Sequence, residues 1–555
     1  MNNEEIQIRN EFTELDQEDF FRLLQQFVIA EDYEAFIDAI YYRCADDLET
    51  FAIAFFPHYC KHPFNVFHFD TFRNYEFGER GTRRADAAPR GFAKSTIKVL
   101  FKPIHDVCYK LEKFLVILSY NEAQSAQKLK DISAEFLTNE ALHLVYGRFL
   151  PNRSVNATDF VAHNQGHSCR LLALGSGTEM RGIRYRDARP SKIILDDIEH
   201  STEVENEMLR DKVEAWYFDV VSKIGDEETN IEIVGTVLHE RSLLKKLIQN
   251  PRYSSREYKA IISWSDRKDL WDKWTSIYVN LDDEDRLDNA RKFYEENEEE
   301  MMKGVEVLWP EKEPYYALQE EIIETGIRSF MKEKQNSPMS DEEKVFTPES
   351  IWWYTEVEHG FLIERTNVLV PWQALTAVGA IDPSTGQRKP TANKKPDFTC
   401  ITAGYRDLKK RLFVDMDFTK RVPPSVFIEK IFELHEQYEF YKFCVETNLF
   451  RNLLLDNIRK ERDRIQKEKG KRIDIKWYDL ELHDNKEKRI YSIEPKVFHG
   501  HILFNRDKMS TEFMNQMYDF PKAAHDDCPD SLEMLWGLVQ NKYSIAALNK
   551  NTVQG

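Results

Sequence analysis

The stretch 87-AAPRGFAKSTIKVL-100 contains residue types that can bind a triphosphate. Lys94 and Ser95 open an apolar pattern with helical spacing, and the amide groups at a helix N-terminus attract phosphate oxygens. A lysine at this place reaches the β- and γ-phosphates, and a hydroxyl residue holds Mg²⁺. Ala88 and Ala93, however, stand where a phosphate-binding loop usually has glycine. Alone, the stretch therefore fits a plain helix start as well as a nucleotide site.

A second stretch, 191-SKIILDDIEH-200, is an apolar strand pattern that ends in acids. A nucleotide hydrolase needs one carboxylate for Mg²⁺ and another that orients the attacking water. Asp196 suits the first role, and either Asp197 or Glu199 suits the second. A surface strand that ends in a charged turn is the simpler alternative. However, this strand lies about 100 residues after the Lys-Ser pair, and the two stretches together are much stronger evidence for a nucleotide site than either one alone.

The strand pattern 231-IEIVGTVLHE-240 contributes Gly235 and Thr236. A small hydroxyl residue after a central strand can sense the γ-phosphate, so this pair is a candidate for coupling nucleotide state to the rest of the protein. Gly-Thr at a strand end is common, and alone it indicates little.

The C-terminal part carries a separate set of acids. Asp382 follows the apolar strand pattern TAVGAI, Glu446 ends YKFCV, and three further aspartates lie in 525-HDDCPDS-531, namely Asp526, Asp527 and Asp530. Acids at the ends of neighbouring strands and from a later helix can converge, and their repulsion then requires cations. Two divalent ions about 3.5–4 Å apart would satisfy them and activate water against a phosphodiester. A lone aspartate would more often be a turn former.

The elements that must position these residues form two α/β patterns. Short apolar runs at 114–118, 171–174, 193–195 and 231–234 alternate with helical patterns, which predicts a parallel-rich sheet flanked by helices. After about residue 365, three strand patterns, a helix at 424–439 and a further strand at 441–447 predict a second α/β unit. Residues 1 to about 75 are predicted to be helical.

Charge and cysteine content limit the class of protein. The 555 residues have a net charge of −19, which taken alone argues against a nucleic-acid partner. The charge is uneven, because residues 1–50 hold 14 acids against three arginines, whereas 459–476 has nine basic residues against four acids. Seven cysteines without a CxxC pair are typical of a reducing cytosol. The longest apolar runs are too short to span a bilayer, and the N-terminus resembles no secretion signal.

Several segments, in this order, resemble the large terminase subunits of tailed bacteriophages, the motors that package DNA into capsids. They are the deviant loop PRGFAKST with its Arg90, LVILSYNEAQSAQKLKDI, 177-GTEMRGIRYRDARPSKIILDDIE-199 and 308-LWPEKEPYYALQEEIIETGIRSFMKEKQNSP-338. The resemblance covers roughly residues 60 to 540. The order of the segments is more specific than any one of them.

The resemblance implies roles for individual residues in two sites. In the first site, ATP and Mg²⁺ would be bound by Arg90, Gly91, Lys94, Ser95, Thr96 and Asp196, with Arg90 at the γ-phosphate. Asp197 or Glu199 would be the catalytic base, since the usual Asp-Glu pair is Asp-Asp here. In the second, RNase H-like site, Asp382, Glu446 and Asp527 would hold two Mg²⁺ or Mn²⁺ ions, with Asp526 and Asp530 in reserve and Asp397 assisting.

The same resemblance implies domains and partners. We expect an acidic helical segment at 1–60, a P-loop ATPase domain at 61–345 with a linker subdomain from about 250, a linker at 346–365 and an RNase H-like nuclease domain at 366–555. The partners would be double-stranded DNA, the portal protein, the small terminase subunit and further copies in a ring on the procapsid, without a membrane. The place would be the host-cell cytoplasm and not the mature virion.

Alternatives remain open at this stage. A helicase or other P-loop DNA translocase would explain the N-terminal nucleotide-binding pattern but not the C-terminal acids. An RNase H-fold recombinase would explain the C-terminal acids but not the nucleotide-binding pattern. A non-enzymatic scaffold would turn over no ATP. The basic segments 387–395, 409–413 and 459–476 are candidate DNA contacts, with solvated loops or helix faces as the simpler reading.

Overall fold

The computed structural model describes residues 12, 15–73, 79–151, 156–200, 204, 206–339, 344–383, 398–446, 451–470, 472–480, 485–523 and 525–543. The chain forms two compact units. The first comprises Met1–Asp266, Met302–Ile322 and Arg328–Met339, and the second comprises Arg267–Met301, Ile323–Ile327 and Ser340–Gly555.

The first unit is built on an eight-stranded sheet with the order β3-β4-β5-β2-β6-β7-β1-β8. All neighbouring strands are parallel except at the β3-β4-β5 edge. The strands are β1 Arg83–Ala87, β2 Phe114–Ser119, β3 Leu150–Pro151, β4 Asp159–Asn164, β5 His167–Gly175, β6 Lys192–Asp196, β7 Asn230–Gly235 and β8 Ser254–Glu257.

The apolar runs of the sequence form the centre of this sheet, as predicted. Every residue of β2, β6 and β7 is buried, which is typical of parallel strands covered by helices on both faces. Strand β7 lies between β1 and β6, so the carboxyl ends of these three strands are adjacent. The residues that follow β1, β6 and β7 therefore meet at one edge.

Helices cover the sheet, and the first three of them have an aspartate at the N-cap position. The side chains of Asp16, Asp32 and Asp47 each accept a backbone N–H in the first helical turn, so part of the acidic N-terminal charge caps helices. These helices pack into the same apolar core as the long helix after β2. The helices are α1 Gln17–Ile29, α2 Tyr33–Cys44, α3 Leu48–Phe55, α4 Val66–Arg73, α5 Lys102–Cys108, α6 Glu122–Thr138, α7 Glu140–Tyr146, α8 Glu207–Asp219 and α9 Leu243–Ile248.

The stretch between α9 and residue 339 is divided between the two units. It contains a two-stranded sheet formed by β9 Ile261–Ser263 and β10 Glu306–Val307. Its helices are α10 Lys268–Tyr278, α11 Arg286–Met301, α12 Tyr315–Thr325 and α13 Ile327–Glu333.

The second unit contains a nine-stranded sheet with the order β13-β12-β11-β19-β16-β15-β14-β17-β18. Its strands are β11 Trp352–Val357, β12 Gly360–Ile363, β13 Val368–Pro371, β14 Thr376–Asp382, β15 Thr399–Arg406, β16 Leu412–Lys420, β17 Lys442–Glu446, β18 Lys476–Leu480 and β19 Ile502–Asn505. The predicted linker 346–365 contains β11 and β12, which are hydrogen-bonded strands of this sheet.

Strands β14, β15 and β16 form an antiparallel meander, and β17 and β18 continue the sheet on the other side of β14 in parallel. This is the RNase H-like arrangement predicted from the sequence, and the α/β fold class is confirmed for both units. The helices are α14 Pro424–Tyr438, α15 Arg451–Lys469, α16 Lys486–Tyr491, α17 Glu494–Phe498, α18 Thr511–Asp519 and α19 Asp527–Val539.

Helix α19 is the central helix of the second unit. All 13 of its residues are buried, including Asp527, Asp530 and Glu533, and it packs against β14 and β15. Buried carboxylates require partners, because removing them from water without compensation is unfavourable. The acids of α19 therefore point to a built polar centre within this unit.

Among the described residues, no helix combines the length and the apolar character needed to cross a bilayer.

Candidate active sites

The loop after β1, the predicted phosphate-binding loop, contains two residues with left-handed backbone conformations. The Ala88 N–H donates to the Gly235 carbonyl over 3.1 Å, which ties the loop to the end of β7. Gly91 has a φ of +87° and Ala93 a φ of +58°, the left-handed region that usually requires glycine. An alanine there costs about 1–2 kcal/mol. The chain thus accepts backbone strain at Ala93 in this loop.

The predicted lysine and serine of this loop meet the residues predicted to work with them. Lys94 is buried, and its Nζ donates to Thr236 Oγ1 over 3.0 Å. Ser95 Oγ donates to Asp196 Oδ1 over 2.8 Å. Thr96 begins a π-helical turn, Thr96–Phe101, that leads into α5. Residues from three strand ends therefore converge, and a hydroxyl beside a carboxylate is an oxygen set that suits Mg²⁺.

A lysine that the sequence analysis did not single out completes this centre. Lys128 Nζ, on α6, lies 2.6 Å from Asp196 Oδ2 and donates to Ser119 Oγ over 2.8 Å. Burial raises the pKa of Asp196, and Lys128 opposes that effect. Lys128 thus stabilises a carboxylate that is completely buried.

The two candidate bases differ in what they contact. The Glu199 carboxylate accepts the N–H groups of Leu243 over 2.8 Å and Leu244 over 3.1 Å, so it caps α9. Asp197 is exposed at the strand end, with a left-handed φ of +45°, and its Oδ1 is 3.4 Å from where a Cβ on Gly235 would lie. The geometry therefore favours Asp197 for a role toward a bound nucleotide, and it gives Glu199 a structural one.

The outer side of the loop is held by residues 309–322 and 328–336, which we call the clasp. The Arg90 N–H donates to the Glu333 carbonyl over 2.9 Å, and Lys312 Nζ donates to the Gly91 carbonyl. Arg90's own side chain is 75% exposed, with Nη1 3.5 Å from Glu333 Oε2. The Arg90 guanidinium therefore lies at the surface of the loop, and its contact with a γ-phosphate stays a prediction.

The clasp also contacts the segment that follows β7 and contains Thr236. Asn336 is buried, accepts the Val237 N–H over 2.8 Å and donates to the Tyr258 carbonyl over 2.7 Å. Lys334, two residues earlier, forms an ion pair with Glu313 at 2.8 Å. The clasp therefore contacts both the phosphate loop and Val237, the residue that follows the Gly235-Thr236 pair, a link that the sequence did not reveal.

The second centre lies at the carboxyl ends of β14 and β17. Asp382 and Glu446 end these parallel neighbours, which pair through Ile381 and Val445. Each of Asp382, Glu446 and Asp530 offers a carboxylate oxygen within 4.8 Å of the others. This spacing and the all-oxygen donor set fit hard divalent cations such as Mg²⁺ or Mn²⁺.

Two cations from α16 balance these acids. Lys486 Nζ lies 3.3 Å from Asp382, 3.4 Å from Asp530, 3.5 Å from Asp527 and 2.9 Å from Asp526. Burial alone would lower the pKa of Lys486, but the acids around it, Asp382 first, raise it above its ordinary value. Burial and the neighbouring acids raise the pKa of Asp382, against the effect of Lys486.

Arg489, one helical turn after Lys486, holds the third acid. Its Nη1 lies 2.8 Å from Asp530 Oδ1 and 3.0 Å from Glu533 Oε2, and its Nη2 donates to Asp530 Oδ2 over 3.1 Å. A forked guanidinium fixes a carboxylate more firmly than a lysine does. In the sequence, Lys486 and Arg489 are three residues apart at the start of α16, which places them on one face. This spacing indicates partners for the acids only when the acids are known to be buried.

The choice among the three aspartates of 525–531 differs from the sequence-based preference. Asp530, held in reserve, joins the cluster with Asp382 and Glu446. Asp527, the preferred ligand, accepts the Phe398 N–H over 3.0 Å and lies at the rim. The reason is helical: α19 begins at Asp527, and the next turn places Asp530 on the same side, deeper below the strand ends. Asp397 and the segment 387–395 lie outside the described residues.

The remaining basic candidates are largely paired within the second unit. Arg411 is buried between Asp407 and Asp282, at 2.7 and 3.1 Å, and Lys409 lies 2.6 Å from Asp282. On α15, Arg464 pairs with two glutamates of its own helix. The contacts of Arg464 agree with the simpler reading of 459–476 as a solvated helix face, whereas Arg411 in segment 409–413 is a buried, paired residue.

No protein-family model and no curated protein sequence matches the chain. Over most of its length the backbone is similar to a large terminase from a thermophilic bacteriophage, with a TM-score of 0.40, 8% identity, and 84% of this chain and 96% of that chain covered. The large terminase nuclease from thermophilic phage G20c with bound zinc has a TM-score of 0.23 and 14% identity, covering 35% of this chain and 97% of that one. The Thermus phage P74-26 large terminase ATPase domain has a TM-score of 0.25 and 11% identity, covering 44% of this chain and 92% of that one.

Proposed function

We propose that the chain is a phage terminase large subunit, which uses ATP hydrolysis to move double-stranded DNA into a procapsid and cuts concatemeric DNA with a metal-dependent endonuclease. The observation that carries the proposal is the presence of two separate centres on one polypeptide. One gathers Lys94, Ser95 and Asp196 around a phosphate-binding loop. The other gathers three carboxylates with divalent-cation spacing. The sequence resemblance supplies the packaging context.

In the first centre, the loop amides and Lys94 would bind the β- and γ-phosphates of ATP. Ser95 and Asp196 would hold Mg²⁺, which neutralises charge on the phosphates when bound. Lys94 would exchange its present contact with Thr236 for phosphate oxygens, which frees the Thr236 hydroxyl to report the presence of the γ-phosphate. Asp197 would orient the attacking water, because its carboxylate is exposed beside the loop rather than used as a helix cap.

In the second centre, Asp382, Glu446 and Asp530 would hold two Mg²⁺ or Mn²⁺ ions, with Asp527 at the rim. The ions, when bound, supply activated water and charge stabilisation for phosphodiester hydrolysis. Arg489 keeps Asp530 in one orientation, and the strand ends keep Asp382 and Glu446 adjacent. Because such a site contacts phosphates rather than base edges, cutting would be tolerant of sequence.

The partners follow from this function. We propose that the protein acts as a homo-oligomeric ring on the procapsid portal, receives DNA through the small terminase subunit, and works in the host cytoplasm. A neighbouring copy in such a ring is a natural source of an additional arginine for the nucleotide site.

The test measures DNA-stimulated ATP hydrolysis beside plasmid cleavage in the same preparations. Lys94→Ala should lower ATP turnover by about 100-fold or more and leave metal-dependent nicking intact. Asp382→Ala should do the reverse. Loss of both activities from either change in a folded protein would contradict two independent centres, and absence of both from the unaltered protein would favour a scaffold.

Two further assays separate the alternatives that share one centre. ATP-driven strand separation of a short duplex would indicate a helicase. Strand transfer into a target duplex, without ATP turnover, would indicate a recombinase.

A further inference from the structure

An exposed arginine beside the carboxylate cluster is held in a fixed direction. Arg421 follows β16, and its guanidinium carbon lies 3.7 Å from the centre of the Phe398 ring. Its Nη2 donates to His525 Nε2 over 3.0 Å. The centres of the His525 and Phe398 rings are 5.0 Å apart, and the rings lie at right angles. The guanidinium therefore stacks on one ring and hydrogen-bonds to the other, and these two contacts form its aromatic seat. Most exposed arginines lack such a seat and lose more side-chain freedom on binding a ligand.

The same two residues connect the arginine to the cluster. The Phe398 N–H donates to Asp527 Oδ2 over 3.0 Å, and His525 Nδ1 lies 4.0 Å from the same oxygen. Asp527 Oδ1 is 3.5 Å from Lys486, which contacts Asp382. Phe398 and His525, which both contact Arg421, therefore place it near Asp527 at the rim of the cluster.

The charge of the region explains what such a cation would do. Lys486 and Arg489 both contact carboxylates of the cluster and serve to balance it. A phosphodiester backbone that approaches these acids needs positive charge at the rim, beyond what the bound ions supply at the cut itself. A guanidinium presents forked donors that match phosphate oxygens, and stacking its face on a ring does not use the donors in its plane.

We propose that Arg421 binds a backbone phosphate of the DNA strand that the cluster cuts, with Phe398 and His525 fixing its direction. This inference rests on the proposed nuclease function. It assigns to Arg421 substrate affinity rather than metal binding or chemistry, and this assignment distinguishes it from a purely structural role in holding the loop around Asp527.

The test uses the full-length protein and measures the nicking of plasmid DNA in the presence of Mn²⁺. Arg421→Gln should raise KM about tenfold with kcat nearly unchanged, and the Mn²⁺ concentration for half-maximal activity should stay the same. The slope of log K for DNA binding against log salt should become less steep by about 1. Arg421→Lys should recover part of the affinity, because it keeps the charge but loses the fork. Phe398→Leu should raise KM in the same direction.

The matched control is Arg506→Gln. Arg506 stacks on Trp353 at 5.0 Å and pairs with Glu364 at 2.6 Å in the same unit, so it reproduces the stack and the exposed pairing without the link to Asp527. KM and the salt slope of this variant should match the unaltered protein.

Three results would overturn the proposal. Arg421→Gln with an unchanged KM and salt slope would show that no phosphate is bound there. A fall in kcat together with a shifted Mn²⁺ requirement would instead make Arg421 a support of Asp527. An equal effect from Arg506→Gln would reduce it to general surface charge. Should the unaltered protein bind DNA without cutting it, the nuclease function fails, while the salt slope of the Arg421 variant still decides whether this residue contacts a phosphate.

Discussion

Lys486 Nζ lies 3.3 Å from Asp382 Oδ2, although 104 residues separate them in the chain. The lysine contacts three further aspartates of the same centre, so one cation balances much of the repulsion in a buried cluster. Its position beside the predicted metal ligands means that bound divalent ions and the lysine compensate the same charge.

The first prediction concerns this compensation. Lys486→Met should lower the free energy of unfolding by roughly 1–3 kcal/mol in chelator, less than for a fully buried pair because the lysine is partly exposed. Saturating Mn²⁺ should recover most of the loss. Urea unfolding with and without Mn²⁺ measures both, and Lys488→Met, at an exposed position of the same helix, is the control. A variant as unstable with Mn²⁺ as without it would show that the ions do not replace the lysine.

The second prediction separates Asp530 from Asp527. Mn²⁺ at 100 times its dissociation constant stabilises a native state by about 2.7 kcal/mol. Asp530→Asn should remove most of the Mn²⁺-induced rise in Tm, since it loses a ligand of the three-carboxylate set, whereas Asp527→Asn should keep most of it. Asp507→Asn, an exposed aspartate of the same unit, serves as control. The reverse order of the two effects would restore Asp527 as the third ligand.

The third prediction decides between Asp197 and Glu199. Asp197→Asn should lower ATP turnover by about 100-fold or more while ATP binding, measured by calorimetry, persists. Glu199→Gln should lower the free energy of unfolding by about 1 kcal/mol through the weakened cap on α9, with turnover close to that of the unaltered protein. If Glu199→Gln abolished turnover in a folded protein and Asp197→Asn did not, the roles would be exchanged.

The fourth prediction concerns the left-handed alanine. Ala93→Gly should raise the free energy of unfolding by about 0.5–1 kcal/mol, because relief of the strain at φ +58° exceeds the entropy that glycine adds to the unfolded chain. Ala134→Gly, at an exposed position of α6, should instead lower it by about 1 kcal/mol. Denaturant titrations of both variants provide the comparison, and destabilisation by Ala93→Gly would argue against the loop conformation.

The fifth prediction is a pH dependence in the first unit. Burial, with a contribution from Lys312, lowers the pKa of His68 to about 4, below its ordinary value of 6.5. Between these values the unfolded chain binds more protons than the native one, so stability falls as the pH decreases from 6.5 toward 4. The loss from this residue reaches roughly 3 kcal/mol at the lower end.

His68→Gln tests this by flattening the curve of unfolding free energy against pH between 7 and about 4.5, whatever its effect at pH 7. Curves of equal slope for the two proteins would mean that His68 accepts its proton without opening the fold.

Local sequence predicted the central strands of the first unit and which of its residues lie close together. The apolar runs that form β2, β6 and β7 are buried on both faces of the sheet. Strands in this environment have continuous apolar sequences, which are easily recognised. Lys94, Ser95, Asp196 and Thr236 come together because parallel strands place their carboxyl ends at one edge. Two of the second-site acids, Asp382 and Glu446, meet for the same reason.

The features that the sequence did not predict depend on which side of a helix faces the sheet and on contacts between residues far apart in the chain. Whether Asp527 or Asp530 enters the cluster depends on how α19 is rotated against β14, which three-residue spacing does not determine. Lys128, Lys486 and Arg489 balance acids far away along the chain, and a basic residue on a helix usually faces water. The resemblance implied a linker at 346–365, whereas β11 and β12 in this range extend the second sheet.

The clasp grips the phosphate loop through main-chain atoms, the amide of Arg90 and the carbonyl of Gly91. Substitution of the Arg90 side chain leaves both gripped atoms in place. The contacts between this loop and the clasp therefore do not depend on the Arg90 side chain. Gly91 differs, because its φ of +87° favours glycine and a Cβ there would lie 3.4 Å from Lys312 Nζ. Residue identity is thus free at one of the two positions and constrained at the other.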